Sequence, residues 1–117
     1  MTTLYGISNC STVKKARAWL EQHGVDYQFH DFRKDGLDAE TLQPLVDKLG
    51  WDTLLNKSGM TWRKLTDKDK TGLNEKKATQ LMLTVPTVIK RPVLVAGRKY
   101  HAGFTESDYQ RLLGGKR

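Results

Sequence analysis

At 117 residues the chain has room for a real but modest core, and 38% hydrophobic with 28% charged residues is ordinary for a globular protein. No apolar run approaches the roughly 20 residues of a membrane span. The opening residues are too polar for the apolar region of a secretory signal, and a single cysteine excludes an internal disulfide. We therefore expect one cytoplasmic domain over residues 1–117, a monomer with no membrane partner. The formal net charge of +7 is scattered through Lys14-Lys15-Arg17, Arg63-Lys64, Lys68-Lys70, Lys76-Lys77 and Arg98-Lys99, much of it interleaved with acids. Only Lys116-Arg117 resembles a charged tail, so small anions are expected as partners and direct nucleic-acid contact is not.

Thr3 to Ile7 is rich in β-formers, and Gly6, Ser8 and Asn9 break the run. After Cys10, Val13, Ala16 and Leu20 recur at helical spacing beside Trp19, with Ser11 or Thr12 placed to cap the first turn. His23-Gly24 stops this helix. Val25, Tyr27 and Phe29 then alternate with Asp26, Gln28 and His30, giving a half-buried strand and a βαβ unit with parallel strands and a right-handed crossover.

From Asp31 to about Lys90 the pattern is helical. Leu42, Leu45, Val46 and Leu49 form a stripe ending at Gly50, and Pro44 sets either a start near Thr41 or a start at Asp38 with a bend. Trp51 to Leu55 and Met60 to Leu65 read as short helices around an Asn56–Gly59 turn. Asn74 caps a further helix that turns Ala78, Leu81 and Met82 inward, with a staple between Leu73 and Ala78. Val85-Pro86 ends the block. Val93 to Ala96, a Gly97-Arg98 turn and Lys99 to Ala102 form a hairpin. Thr105 caps a last helix with Asp108 at its third position and Tyr109, Leu112 and Leu113 inward, and the Gly114 to Arg117 ending is expected to fray. Periodicity alone gives α/β or α+β.

Cys10 stands where a strand ends and a helix begins. Unsatisfied N–H groups and the positive end of the helix dipole favour an anion there, and Lys14, four residues on, adds a cation. A free thiol titrates at about 8.5, and such surroundings bring it to roughly 3.5–7.5. A core cysteine sits in an apolar run, whereas Cys10 lies in a Ser/Asn/Thr turn, so the reactive reading is favoured over the packing one. Ser8 and Asn9 either donate to a bound anion or shape the turn. His23, His30 and His101 fall at a helix end, a strand and a hairpin, a poor set for zinc with one cysteine. Trp19, Trp51 and Trp62 read as core.

Leu4-Tyr5-Gly6, Asn9 to Ala16, Trp51 to Asn56, Thr61 to Leu65 and Ile89 to Val95 occur in an order and spacing that resemble the arsenate reductase (ArsC) family, and within it the YffB-like and Spx branch. The likeness spans essentially the whole chain. It implies a thioredoxin-like fold, βαβ then ββα with a mixed four-stranded sheet, carrying a helical insertion at about 33–90. It also implies that Cys10 is the nucleophile and that Pro92 matches the cis-proline such folds place beside it.

Of the three arginines with which the family holds arsenate, Arg91 matches one, while Asn56 and Ala102 stand at or near the others. Lys57 offers only a point charge in partial compensation. A multiply charged oxyanion wants fixed bidentate donors, so arsenate reduction coupled to glutathione and glutaredoxin is the second expectation. An Spx-like adaptor on RNA polymerase is the third, without the Cys-x-x-Cys switch, because Val13 holds the partner position. The leading expectation is a one-cysteine thiol/disulfide reductase resolved by glutathione as co-substrate, with no tightly bound cofactor or metal. Asn9, Ser11, Lys14, Arg63, Arg91 and Pro92 are its candidate binding residues.

Overall fold

A computed structural model describes residues 2–114. The charge pair at Lys116-Arg117 and the expected fraying beyond Gly114 lie outside the described residues. The chain divides into two compact units, one made of residues up to Asp35 with those from Arg91 onward, the other of Gly36–Lys90. Among the described residues no helix is long and apolar enough to cross a membrane.

In the first unit, β1 (Thr2–Gly6), α1 (Ser11–Gln22), β2 (Gln28–Asp31), β3 (Val93–Ala96) and β4 (Lys99–Ala102) precede the last helix, Glu106–Leu113. The sheet order is β2-β1-β3-β4, with β1 and β2 parallel and the other pairs antiparallel. Leu4 on β1 and Leu94 on β3 lie opposite each other and project into a core with Ala16, Trp19, Leu20 and Tyr109. Each such buried aliphatic side chain contributes about 1.5–3 kcal/mol. Tyr109 meets Trp19 and Phe104 edge-on, at 5.6 and 4.7 Å between ring centres. A side chain at Gly6 would lie 2.8 Å from Val13 Cγ2, so the absence of a Cβ lets α1 close onto the end of β1.

Three boundaries differ from expectation. The second strand starts at Gln28 rather than Val25, because its pairing begins only opposite Thr3; Val25 and Tyr27 pack on the core before it. Asp31, assigned by pattern to the helical block, is the last residue of this strand. At α1 the N-cap is Cys10 itself, in extended conformation, and Ser11 is already helical and exposed. A hydroxyl at Ser11 or Thr12 therefore does not cap this helix.

In the second unit, α2 (Ala39–Leu49) starts at Asp38, whose carboxylate accepts the Thr41 N–H, and it carries Pro44 inside the helix. Next come α3 (Trp51–Leu54), α4 (Met60–Lys64), α5 (Asp67–Lys70) and α6 (Glu75–Thr84), then a 3-10 turn at Pro86–Val88. Asn74 caps α6 by accepting the Lys77 N–H at 2.9 Å. Leu42, Leu45, Val46, Leu54, Ala78 and Met82 are buried, and α2, α3 and α6 pack on one another. Trp51 and Trp62 are only half-buried, unlike Trp19, and Lys57 and Lys70 stand 5.9 and 5.5 Å from their ring centres. Each of those two indoles is partly open to solvent, with a lysine beside its ring. The final helix, labelled α7 (Glu106–Leu113), begins at Thr105, which accepts the Asp108 N–H at 3.1 Å.

Candidate functional site

Cys10 sits between β1 and α1, free and half-buried. As N-cap it occupies the place where Ser, Thr, Asp or Asn would accept an N–H from the second or third helical residue. The neutral thiol closes no such cap bond. The amides at the start of α1 consequently have an acceptor in front of them that serves well only when ionised. Burial is the largest single influence on the thiol and opposes its ionisation. The Val13 N–H, the hydrogen bond and charge of the Arg91 guanidinium, and the Thr12 N–H together outweigh burial and hold Cys10 below the ordinary thiol value.

Arg91 reaches the sulfur from the segment leading into β3, and the Arg91–Pro92 peptide bond is cis. Pro92 is buried, and its carbonyl accepts the Gly103 N–H at 2.7 Å. Lys14 lies exposed on α1, where water screens its charge. The donors acting on the thiol are instead the two backbone amides and Arg91. Ser11 and Asn9 are exposed, and Asn9 lines a shallow cleft with Ile7, Ser8, Asp31, Arg33 and Lys34. Arg63 is exposed on α4 of the other unit. Asn56, also in that unit, accepts from the Ser58 hydroxyl, and Ala102 is a β4 residue paired with Val93. Neither position carries a guanidinium. His23 caps α1 stacked on Trp19, His30 lies in β2, and His101 in β4 pairs with Asp108 at 3.2 Å.

One residue of the site has no counterpart in the sequence reading. Asp31 is the one buried charged side chain among the described residues, 3% exposed. Its Oδ2 accepts the Ser8 N–H at 3.0 Å, and its Oδ1 accepts the N–H groups of Arg33 and Lys34 at 2.8 and 3.0 Å. Burial again acts most strongly and against the charge. The amides of Lys34, Ser8 and Arg33, with the Ser8 hydroxyl, outweigh it and hold the carboxyl below its ordinary value. The sequence pattern placed it at the start of the helical block and gave no signal of its partner Ser8.

The ArsC family model matches residues 5–112. The chain belongs to the ArsC family. The solved structure of a YffB protein is 46% identical, covers 97% of this chain and 99% of that one, and superposes with a TM-score of 0.91. An arsenate reductase (ArsC) related protein from Brucella melitensis is 47% identical, with 94% and 92% covered and a TM-score of 0.77. The global transcriptional regulator Spx of Listeria innocua is 26% identical over 97% of this chain and 87% of its own. These likenesses place the chain in the ArsC-like branch with YffB and Spx, with a thioredoxin-like fold. They support thiol-based reductase chemistry and thiol-redox partners in general.

Proposed function

We propose that this ArsC-family protein is a glutathione-dependent thiol/disulfide reductase of the cytoplasm with Cys10 as its nucleophile. The observation that supports this most directly is the lone thiol at the N-cap of α1, held toward its anion by two backbone amides and Arg91. The Cys10 thiolate attacks the glutathione sulfur of a mixed disulfide between glutathione and the substrate thiol. A Cys10–sulfur bond forms, the substrate S–S bond breaks, and the departing thiolate takes a proton from solvent. With a glutathionyl group on Cys10, the thiolate of a second glutathione attacks the glutathione sulfur. Cys10 leaves as thiolate and oxidised glutathione is released, so the two electrons come from glutathione. Arg91 and the amides of Thr12 and Val13 stabilise Cys10 as the leaving group. Asn9, Ser11, Lys14 and the Arg91-Pro92 edge are the candidate contacts for the tripeptide.

Adding oxidised glutathione should give one mixed disulfide by intact mass. Reduced glutathione should then drive turnover of hydroxyethyl disulfide. Cys10→Ser should abolish both while retaining the fold, since serine is a good cap. No adduct, or a thiol titrating at or above its free value, would overturn the proposal. The 47% identity to the Brucella ArsC-related protein supports arsenate as a second reading. Arsenate-dependent turnover with glutathione and glutaredoxin, exceeding turnover of the disulfide, would move the assignment there.

A further inference from the structure

We propose that Asp31 is a positioning residue for the nucleophile, its carboxylate holding the Ser8-Asn9-Cys10 loop in register with the start of α1. The proposal rests on the thiol chemistry of Cys10 argued above. A buried carboxylate must recover its lost hydration from hydrogen bonds, and Asp31 does so with three backbone amides. Two of these, from Arg33 and Lys34, belong to the turn that follows β2, and an acid of purely local role would need no more. The third comes from Ser8, 23 residues earlier in the chain and two residues before Cys10.

A second tie supports the same loop, since the Phe32 N–H donates to the Gly6 carbonyl at 2.8 Å. The two ties bracket Ile7, which is 5% exposed. On the other side, Val13 is packed against Gly6, so α1 and the amides of Thr12 and Val13 are fixed to the end of β1. What remains adjustable is the short connection carrying the sulfur. Asp31 ties that connection to the end of β2 through its side chain.

The sign of the effect separates positioning from plain electrostatics. A carboxylate near a thiol disfavours the thiolate, so neutralising it would by charge alone make Cys10 more acidic. Releasing the loop lets the sulfur drift from its amide donors and makes Cys10 less acidic. Asp31→Asn is suited to the choice. Its carbonyl oxygen can keep the Arg33 and Lys34 bonds, while its NH2 faces the Ser8 N–H donor to donor. Asp35→Asn serves as the control, because Asp35 Oδ2 accepts the Asp31 N–H at 2.8 Å in the same turn and is not tied to the loop.

The test is the pH profile of iodoacetamide alkylation of the full chain, with thermal melting alongside. Asp31→Asn should move the midpoint up by roughly half a unit to one unit, the size expected from weakening a hydrogen bond to a charged group. Asp35→Asn should keep the wild-type midpoint, since its amide oxygen can still accept the Asp31 N–H. If Asp31→Asn does not fold, Ser8→Pro deletes the Ser8 N–H and hydroxyl donors together and should shift the midpoint in the same direction. An unmoved or lowered midpoint in the loop variant, or an equal rise in Asp35→Asn, overturns the assignment. An ordinary midpoint already in the unmodified protein refutes the reductase reading, and this one with it.

Discussion

Replacing Arg91 by methionine removes the one side chain that both hydrogen-bonds Cys10 and places a positive charge beside it. Hydrogen bonds to charged groups are worth about 1.5–3 kcal/mol. Cys10 is half-buried, so solvent screening brings the effective loss toward the lower end. At about 1.4 kcal/mol per unit, the thiol should titrate roughly one unit higher. On the acid side of both midpoints the thiolate fraction then falls about tenfold. A more basic thiolate is also a better nucleophile, with a Brønsted slope of about 0.4–0.5, which restores roughly threefold. Alkylation on the acid side of both midpoints should therefore slow by about threefold, while the alkaline plateau rises by a similar factor. Arg91→Lys keeps a charge but loses the planar fork, and should fall between the two. Iodoacetamide rates across pH, followed by intact mass, read one site because there is one cysteine. An Arg91→Met profile that superimposes on wild type, or shifts to lower pH, would refute the role given to Arg91.

Gly6→Ala should destabilise the protein by about 1–3 kcal/mol in denaturant unfolding, since the new methyl would lie 2.8 Å from Val13 Cγ2 in a packed core; a wild-type midpoint would show that α1 can back away. Acid should weaken the fold through Asp31, whose folded value lies below the unfolded one. Its stabilisation is complete above the unfolded value of about 3.9 and is lost as pH falls through the lower folded value. Melting temperatures of wild type and Asp31→Asn should thus converge on acidification, and parallel curves would contradict the depressed carboxyl.

Much of the fold was legible because local signals agreed with one another. Asn74 and Thr105 accept the amides three residues on, as their places before apolar runs imply. Val93–Ala96 and Lys99–Ala102 pair around Gly97, whose φ of 64° suits glycine. The place of Cys10 between a strand and a helix was legible for the same reason. Failures came where a distant partner decided. Alternation from Val25 looks like strand, yet the ladder exists only where β1 stands opposite. Hydroxyls at Ser11 and Thr12 look like caps, yet the chain is extended at Cys10 and helical from the next residue. The α5 turn, Asp67-Lys68-Asp69-Lys70, has no apolar periodicity and is held at its start by Thr66. Asp31 is legible only with Ser8 beside it, and nothing local in either residue specifies that meeting.

The same geometry explains why Cys10 should need a thiol from outside the chain. Three residues after Cys10, where a Cys-x-x-Cys pair would place its resolving partner, stands Val13. Its backbone N–H favours the thiolate, while its side chain is 0% exposed and packed on Gly6. That side chain closes α1 onto β1 and so places the amide that the sulfur needs. Position 13 thus supplies an amide and a packing contact but no thiol. With valine there the packing is satisfied, the N-terminal amides stay fixed beneath the sulfur, and the proposed reductase cycle takes its second thiol from solution.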